Sequence, residues 1–445
     1  MMRHLPAFPV AAVLAMGLGP ALFAPVQELR ICSSARATDL AAQSPPEAAV
    51  FEMIYCGLDR PDDPLIYRSF WGFGGSSDAK DPFVQAVRKQ AQECTVVYNR
   101  ALPKAQWSVV ELKDGEPSAF YFDVNADGEL SEAEKSLPVA SSRSIFGFPY
   151  VFITSDFLLR TEQREIPFRV MLVGQRSGPQ IHYMWSPAGV LEGQATLAGE
   201  PRRLVLYANG FSGSFTDFGS CSFMLLPAGH ELEGYLPRSP LSSLIRHQET
   251  FYRVKLSGAH EKDKTLRVIF EKDTTPTGQL APEVRGTEPL QARIASATIN
   301  GATDNTIHFV VSDLKAPLPE GRYRLSYGTV HYGVQNEDWR ITFSEGPAFE
   351  IHADKVQPME LGGLTLSVNA VEEKDRYNQD AQERSAYAKG TTVYLTPQIK
   401  GKAGEVYTRV SQKNAGGNNF TDVKPHVTIV DPDGKTVASA DLEYG

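Results

Sequence analysis

At 445 residues, with 42% hydrophobic and 22% charged residues, the chain is too long for one core and has the composition of an ordinary globular protein, not a disordered or fibrous one. Its formal net charge is −9 and it carries no lysine–arginine block, which argues against a nucleic-acid partner. It contains no Walker loop, dinucleotide fingerprint or HExxH pair.

The first elements in chain order are a basic residue, Arg3, and an apolar run near Pro9 to Ala24, with no further charge until Glu28. That is the layout of an export signal. Pro6, Pro9, Pro20 and Pro25 break a segment that barely reaches the roughly 20 apolar residues a spanning helix needs, so no membrane span is expected after signal removal. Removing residues 1–37 takes away Arg3, Arg30, Arg36 and Glu28 and leaves 41 basic and 52 acidic residues, a net charge of −11. The expected location is secreted, periplasmic or cell-surface. Of the four cysteines, Cys56, Cys94 and Cys221 survive that cleavage; a Cys56–Cys94 pairing and an odd Cys221 are one arrangement open in an oxidising compartment.

Asp81-Pro82 followed by Phe83, Val84, Val87 and Ala91 has an N-cap, a first-turn proline and helical spacing, predicting a helix over 82–94. Beyond it the dominant period is two. Alternating or β-branched runs recur at 202–207, 251–256, 265–270, 306–311, 321–327, 339–343, 364–368, 391–396 and 426–430, bounded by Gly, Pro, Asn and Asp. Short strands at this spacing, without crossover helices, predict a mainly β chain of several sandwich domains in tandem after a small α/β N-terminal region. Turn-rich or charged stretches at 136–145, 272–290 and 352–362 suggest the partition. It runs as a signal peptide and lead-in over 1–37, an N-terminal region over 38–140, a β domain over 141–275, and sandwich domains over 276–355 and 356–445.

The stretch YFDVNADGELSEAE, residues 121–134, satisfies D-x-[DN]-x-[DN]-G-x5-E without a gap. A hard cation such as Ca²⁺ takes six to eight oxygens, and a twelve-residue loop supplies them at fixed positions. Asp123, Asn125 and Asp127 stand at one, three and five; Glu129 offers its carbonyl at seven; Ser131 acts at nine through its hydroxyl or a water; Glu134 closes the site with both carboxylate oxygens. Gly128 permits the sharp turn. A chance match is on the order of one in a thousand for a chain this long. The competing reading is an acidic Asp-Gly turn without metal. The stretch resembles the EF-hand loop alone: an aromatic, strand-like segment precedes it and about one helical turn follows. A lone extracellular loop of this charge implies a weak site, Kd ~10⁻⁴ to 10⁻³ M, serving shape. The segment 207–219 keeps Asn209, Gly213 and Asp217 but lacks acidic residues, and is expected not to bind metal.

Other chemistry is thinner. Ser212, in Gly210-Phe211-Ser212-Gly213-Ser214, lacks the second glycine and the helix of a nucleophile elbow. Glu337-Asp338 beside Trp339 is an acidic pair at a strand start. Phe70-Trp71-Gly72-Phe73 is the best aromatic platform for a sugar.

Leu318-Pro319-Glu320-Gly321-Arg322-Tyr323-Arg324-Leu325 resembles the L-P-x-G-x-Y-x-L hairpin of transthyretin-like and CnaB-type sandwich domains of bacterial surface proteins. With the calcium-like loop, residues 400–410 and the closing residues 431–445, the chain is similar in style to uncharacterised secreted proteins of planctomycete-like bacteria. The resemblance implies immunoglobulin-like or transthyretin-like sandwiches and no activity. The expectation is an exported, non-catalytic, calcium-binding β protein of the cell envelope or extracellular space, with calcium structural and with an envelope polysaccharide or another surface protein as partner. The alternative is a glycan-binding or glycan-active secreted protein.

Overall fold

The computed structural model describes residues 48–441 apart from 60–70, 75–93, 99–106, 126, 128, 140–147, 161–163, 179, 210–214, 220, 231–237, 263, 286–290, 312–315, 335–336, 376–386, 389, 415–418 and 432. Among these the chain is mainly β, with no α-helix and two 3-10 turns, at Glu132–Glu134 and Glu373–Asp375. No helix among them is long and apolar enough to cross a membrane. The helix expected over 82–94 lies outside the described residues, save Cys94, which opens the strand Cys94–Tyr98.

The strands form several separate sheets, consistent with tandem β-sandwiches. An eight-stranded sheet runs Ser239–Pro240, Cys221–Pro227, Glu200–Ala208, Gly189–Leu197, Ala48–Gly57, Leu266–Lys272, Thr250–Ser257, Leu244–His247. The strand Ala48–Gly57 therefore joins residues 189–197 and 266–272, although it comes from the stretch expected to form an N-terminal region. Cys56 on this strand is buried, Cys221 is buried on its own strand of the same sheet, and Cys94 belongs to a different sheet.

One four-stranded sheet comprises Cys94–Tyr98, Trp107–Lys113, Glu116–Phe122 and Lys135–Ser136; another comprises Trp71–Gly74, Gln180–Pro187, Val170–Ser177 and Tyr150–Ile153. Phe120, Phe122, Phe152 and Trp185 from these two sheets form one buried aromatic cluster with Phe157, from a two-stranded sheet of Phe157–Arg160 and Glu165–Phe168. Ring centroids lie 5.5 Å apart for Phe120–Trp185, 5.8 Å for Phe122–Trp185 and 5.1 Å for Phe122–Phe157, the offset and edge contacts that aromatic quadrupoles favour. The hairpin leading to the loop turns at Asp114-Gly115, both with positive φ (55° and 75°), as a two-residue turn matching the strand twist requires.

Farther along, a nine-stranded sheet spans residues 291–422 and is built around the long strand Gly321–Val334. Here the period-two pattern translates directly into burial. Tyr323, Leu325, Val330 and Tyr332 face the core while Arg322 and Arg324 face solvent, each fully buried apolar side chain stabilising by roughly 1.5–3 kcal/mol. The strand Pro317–Pro319 belongs instead to a three-stranded sheet with Thr277–Arg285 and Val356–Gly362, the last two parallel. The Pro-x-Gly turn at 319–321 thus hands the chain from one sheet to the other, and residues of both sheets share one core.

Candidate functional site

The loop predicted to bind metal begins where the strand Glu116–Phe122 ends. Phe122 is fully buried in the aromatic cluster, so the next residue, Asp123, enters the loop from a fixed point; its side chain is only 1% exposed. Successive side chains then turn the backbone back on itself. Asp123 Oδ1 accepts from the Asp127 N–H (3.2 Å), Asn125 Oδ1 accepts from the same N–H (2.9 Å), and Asp127 Oδ1 accepts from the Glu129 N–H (2.8 Å). The last two are Asx-turn bonds, in which a short polar side chain mimics a backbone acceptor two residues on; the first spans four residues.

Glu134 closes the loop. It lies in the 3-10 turn Glu132–Glu134, is 6% exposed, and its two carboxylate oxygens take different partners. Oε1 accepts from the Val124 N–H at 3.0 Å, at the start of the loop. Oε2 accepts from the Ser131 N–H and Ser131 Oγ–H, both at 2.9 Å. One residue therefore links positions two, nine and twelve. The short strand Lys135–Ser136 then pairs with Phe120 and Tyr121, fixing the exit beside the entrance.

On the outer side, Tyr121 donates to Glu132 Oε1 (3.2 Å), and Lys135 Nζ lies 3.3 Å from the same oxygen and 5.2 Å from the Tyr121 ring centroid. Partial burial raises the Tyr121 pKa, and its hydrogen bond to Tyr121 raises that of Lys135, so the ammonium stays charged beside the acidic loop.

Hydrogen bonds thus tie Asp123, Asn125 and Asp127 into one group and Ser131 and Glu134 into another, with Glu129 joining the first through its backbone. Oxygen donors of this kind suit a hard cation. As the loop stands, those oxygens face N–H and O–H donors, and among the described residues no three His, Cys, Asp or Glu side chains are gathered as a ready metal cage. Asn209, in the similar-looking segment 207–219, accepts instead from Ser222 Oγ at 2.8 Å.

The other candidates are dispersed. Ser212 lies outside the described residues. Asp338 stands 3.4 Å from Lys413 Nζ, a part-exposed ion pair. Trp71 starts a strand in register with Trp185, which is 1% exposed and belongs to the core. Two polar constellations escaped the sequence reading. One is the buried carboxylate of Glu405, at 0% exposure. The other joins His426 to Asp441 and Ser439 across the hairpin of His426–Val430 and Thr436–Asp441. No motif flags either: the first depends on a distant backbone donor, Gly362, and the second on register between strands. No family model, curated protein or solved structure matches the chain.

Proposed function

We propose that residues 123–134 bind one calcium ion, and that the ion serves shape rather than catalysis in an exported, β-rich protein of the cell envelope or extracellular space. Asp123, Asn125 and Asp127 would hold it through side-chain oxygens, Glu129 through its carbonyl, Ser131 through its hydroxyl or a water, and Glu134 through its carboxylate. Bound there, the ion would neutralise acidic groups crowded at the edge of an apolar cluster.

One observation carries this reading: the buried Glu134 carboxylate reaches back to the Val124 N–H, so the last residue of the motif already stands at its beginning. A solvated acidic turn has no reason to bury two carboxylates. Export is supported by the apolar run between Arg3 and Glu28. Partners of the envelope, a polysaccharide or another surface protein, accord with the net negative charge and a sequence without a lysine–arginine block.

The test is calorimetric titration of the mature protein with Ca²⁺, repeated on Asp123→Ala plus Glu134→Ala. One binding event with Kd ~10⁻⁴ to 10⁻³ M, absent from the double variant, is expected. An isothermal trace without heat at millimolar Ca²⁺, and a melting temperature indifferent to chelator, would sink the proposal.

A further inference from the structure

We propose that Ser439, His426 and Asp441 form a hydrolytic triad on an exposed hairpin, able to cleave small, activated carboxylic esters. This goes beyond the calcium reading, rests on other residues, and departs from the expectation of a protein without chemistry.

The hairpin joins His426–Val430 to Thr436–Asp441, with His426 opposite Asp441 and Thr428 opposite Ser439. All four therefore share one face of the two-stranded sheet, and Ser439 lies diagonal to His426. His426 Nδ1 is 2.7 Å from Asp441 Oδ1, and His426 Nε2 is 2.7 Å from Ser439 Oγ. Thr428 Oγ1 lies 3.2 Å from Ser439 Oγ.

Donor and acceptor chemistry sets the direction of this chain. An ionised carboxylate only accepts, so the Nδ1–H of His426 donates to Asp441. The neutral ring then has its lone pair on Nε2, and the Ser439 hydroxyl donates to it. Thr428 can donate to Ser439 Oγ without disturbing that bond. The result is a nucleophile with its base in contact and the base oriented by a carboxylate, the order that defines a triad by geometry and not by sequence position.

The reaction balances without a cofactor. As Ser439 Oγ bonds to the acyl carbon its proton passes to His426 Nε2; the carbon–alkoxy bond breaks and the leaving alcohol takes that proton. Water then attacks the acyl-serine, its proton again moving to His426, and the acid is released as the acyl–Oγ bond breaks and Ser439 regains its proton. His426 and Asp441 have 60% and 63% side-chain exposure, so no walls select the acyl group and water dilutes the electrostatic advantage of a buried site. Substrates should be small and activated, and covalent capture is a more sensitive readout than turnover.

The experiment incubates the mature protein with an alkyl fluorophosphonate probe, whose P–F bond breaks as P–Oγ forms, and locates the adduct by peptide mass spectrometry. Labelling of Ser439 is expected, lost in Ser439→Ala and slowed about 10²-fold in His426→Gln. Asp441 acts through the histidine, so Asp441→Asn should slow labelling and alter its pH profile, a change that mere loosening of the hairpin does not produce. Unaltered circular dichroism in each variant shows that the fold persists. No adduct at Ser439, or an adduct forming equally fast in His426→Gln, would overturn the proposal.

Discussion

The hydroxyl of Tyr323 donates to the carbonyl of Pro319, four residues upstream, at 2.9 Å. Pro319 closes a strand of the three-stranded sheet and Tyr323 lies in the nine-stranded one, so this bond pins the corner where the chain changes sheets. Burial pushes the Tyr323 phenol up to about 12, keeping it a protonated donor across the working range. Sandwich domains commonly fasten such a corner with a tyrosine. Tyr323→Phe keeps the ring and strands a buried carbonyl. The expected loss is about 1–3 kcal/mol, seen as a lower urea midpoint with an unchanged slope.

Glu405 is the second fastening. Its Oε1 accepts from the Gly362 N–H (2.6 Å) and the Tyr407 hydroxyl (3.0 Å), and its Oε2 from the Ala403 N–H (3.0 Å). Burial, then the Glu405 charge, drives the Tyr407 phenol far above its ordinary range. Glu405→Ala leaves two buried donors, the Gly362 N–H and the Tyr407 hydroxyl, unmet and should cost about 3 kcal/mol or more, whereas Glu405→Gln, which keeps the shape and one acceptor, should cost less. Thermal melts of the two variants separate the outcomes; equal loss would contradict the account.

Gly328 faces the fully buried Phe343 ring, its partner in register, and a methyl group there would overlap that ring. Gly328→Ala should therefore destabilise by about 1–3 kcal/mol despite removing backbone freedom from the unfolded chain. Differential scanning calorimetry checks the sign: a raised melting temperature would mean the core has slack.

His260 supplies a pH dependence. It is 8% exposed, stacks on Tyr55 at 5.4 Å, meets the Phe215 edge at 5.3 Å, and places Nε2 3.3 Å from the Pro167 carbonyl oxygen. Burial lowers its pKa below 6.5, so above that pH it is neutral in folded and unfolded chains alike and favours neither. As pH falls through 6.5 the unfolded chain takes up a proton the folded one refuses, and stability declines. His247 and His331 are shifted the same way, also first by burial. Melting temperatures between pH 8 and 5 should fall, and His260→Gln should flatten part of that slope; an identical slope would assign it elsewhere.

How much of this was legible in the sequence depends on the range of the interaction. Tyr323 and Leu325 alternate with Arg322 and Arg324, so that strand's inner face could be read directly, and all nine predicted runs fall within or across observed strands. At 123–134 the turn was legible as a turn, because its side chains act on neighbours two to ten residues away. The His426–Ser439–Asp441 chain was not, because its members are brought together by strand register, and Glu405 was not, because its burial depends on Gly362, 43 residues away. Nor was the place of Ala48–Gly57, whose alternation says which face is buried but not against which strand.

That strand lies in the interior of the eight-stranded sheet, between partners at 189–192 and 266–271. A chain made from its N-terminus must hold this apolar segment unpaired until residues far downstream emerge. Completion of the sheet is thus a late, non-local event, of the kind that slows folding and leaves an open edge exposed to other chains. The molecule's period of greatest vulnerability to aggregation falls during its own synthesis, and a chaperone that shields residues 48–57 would relieve it.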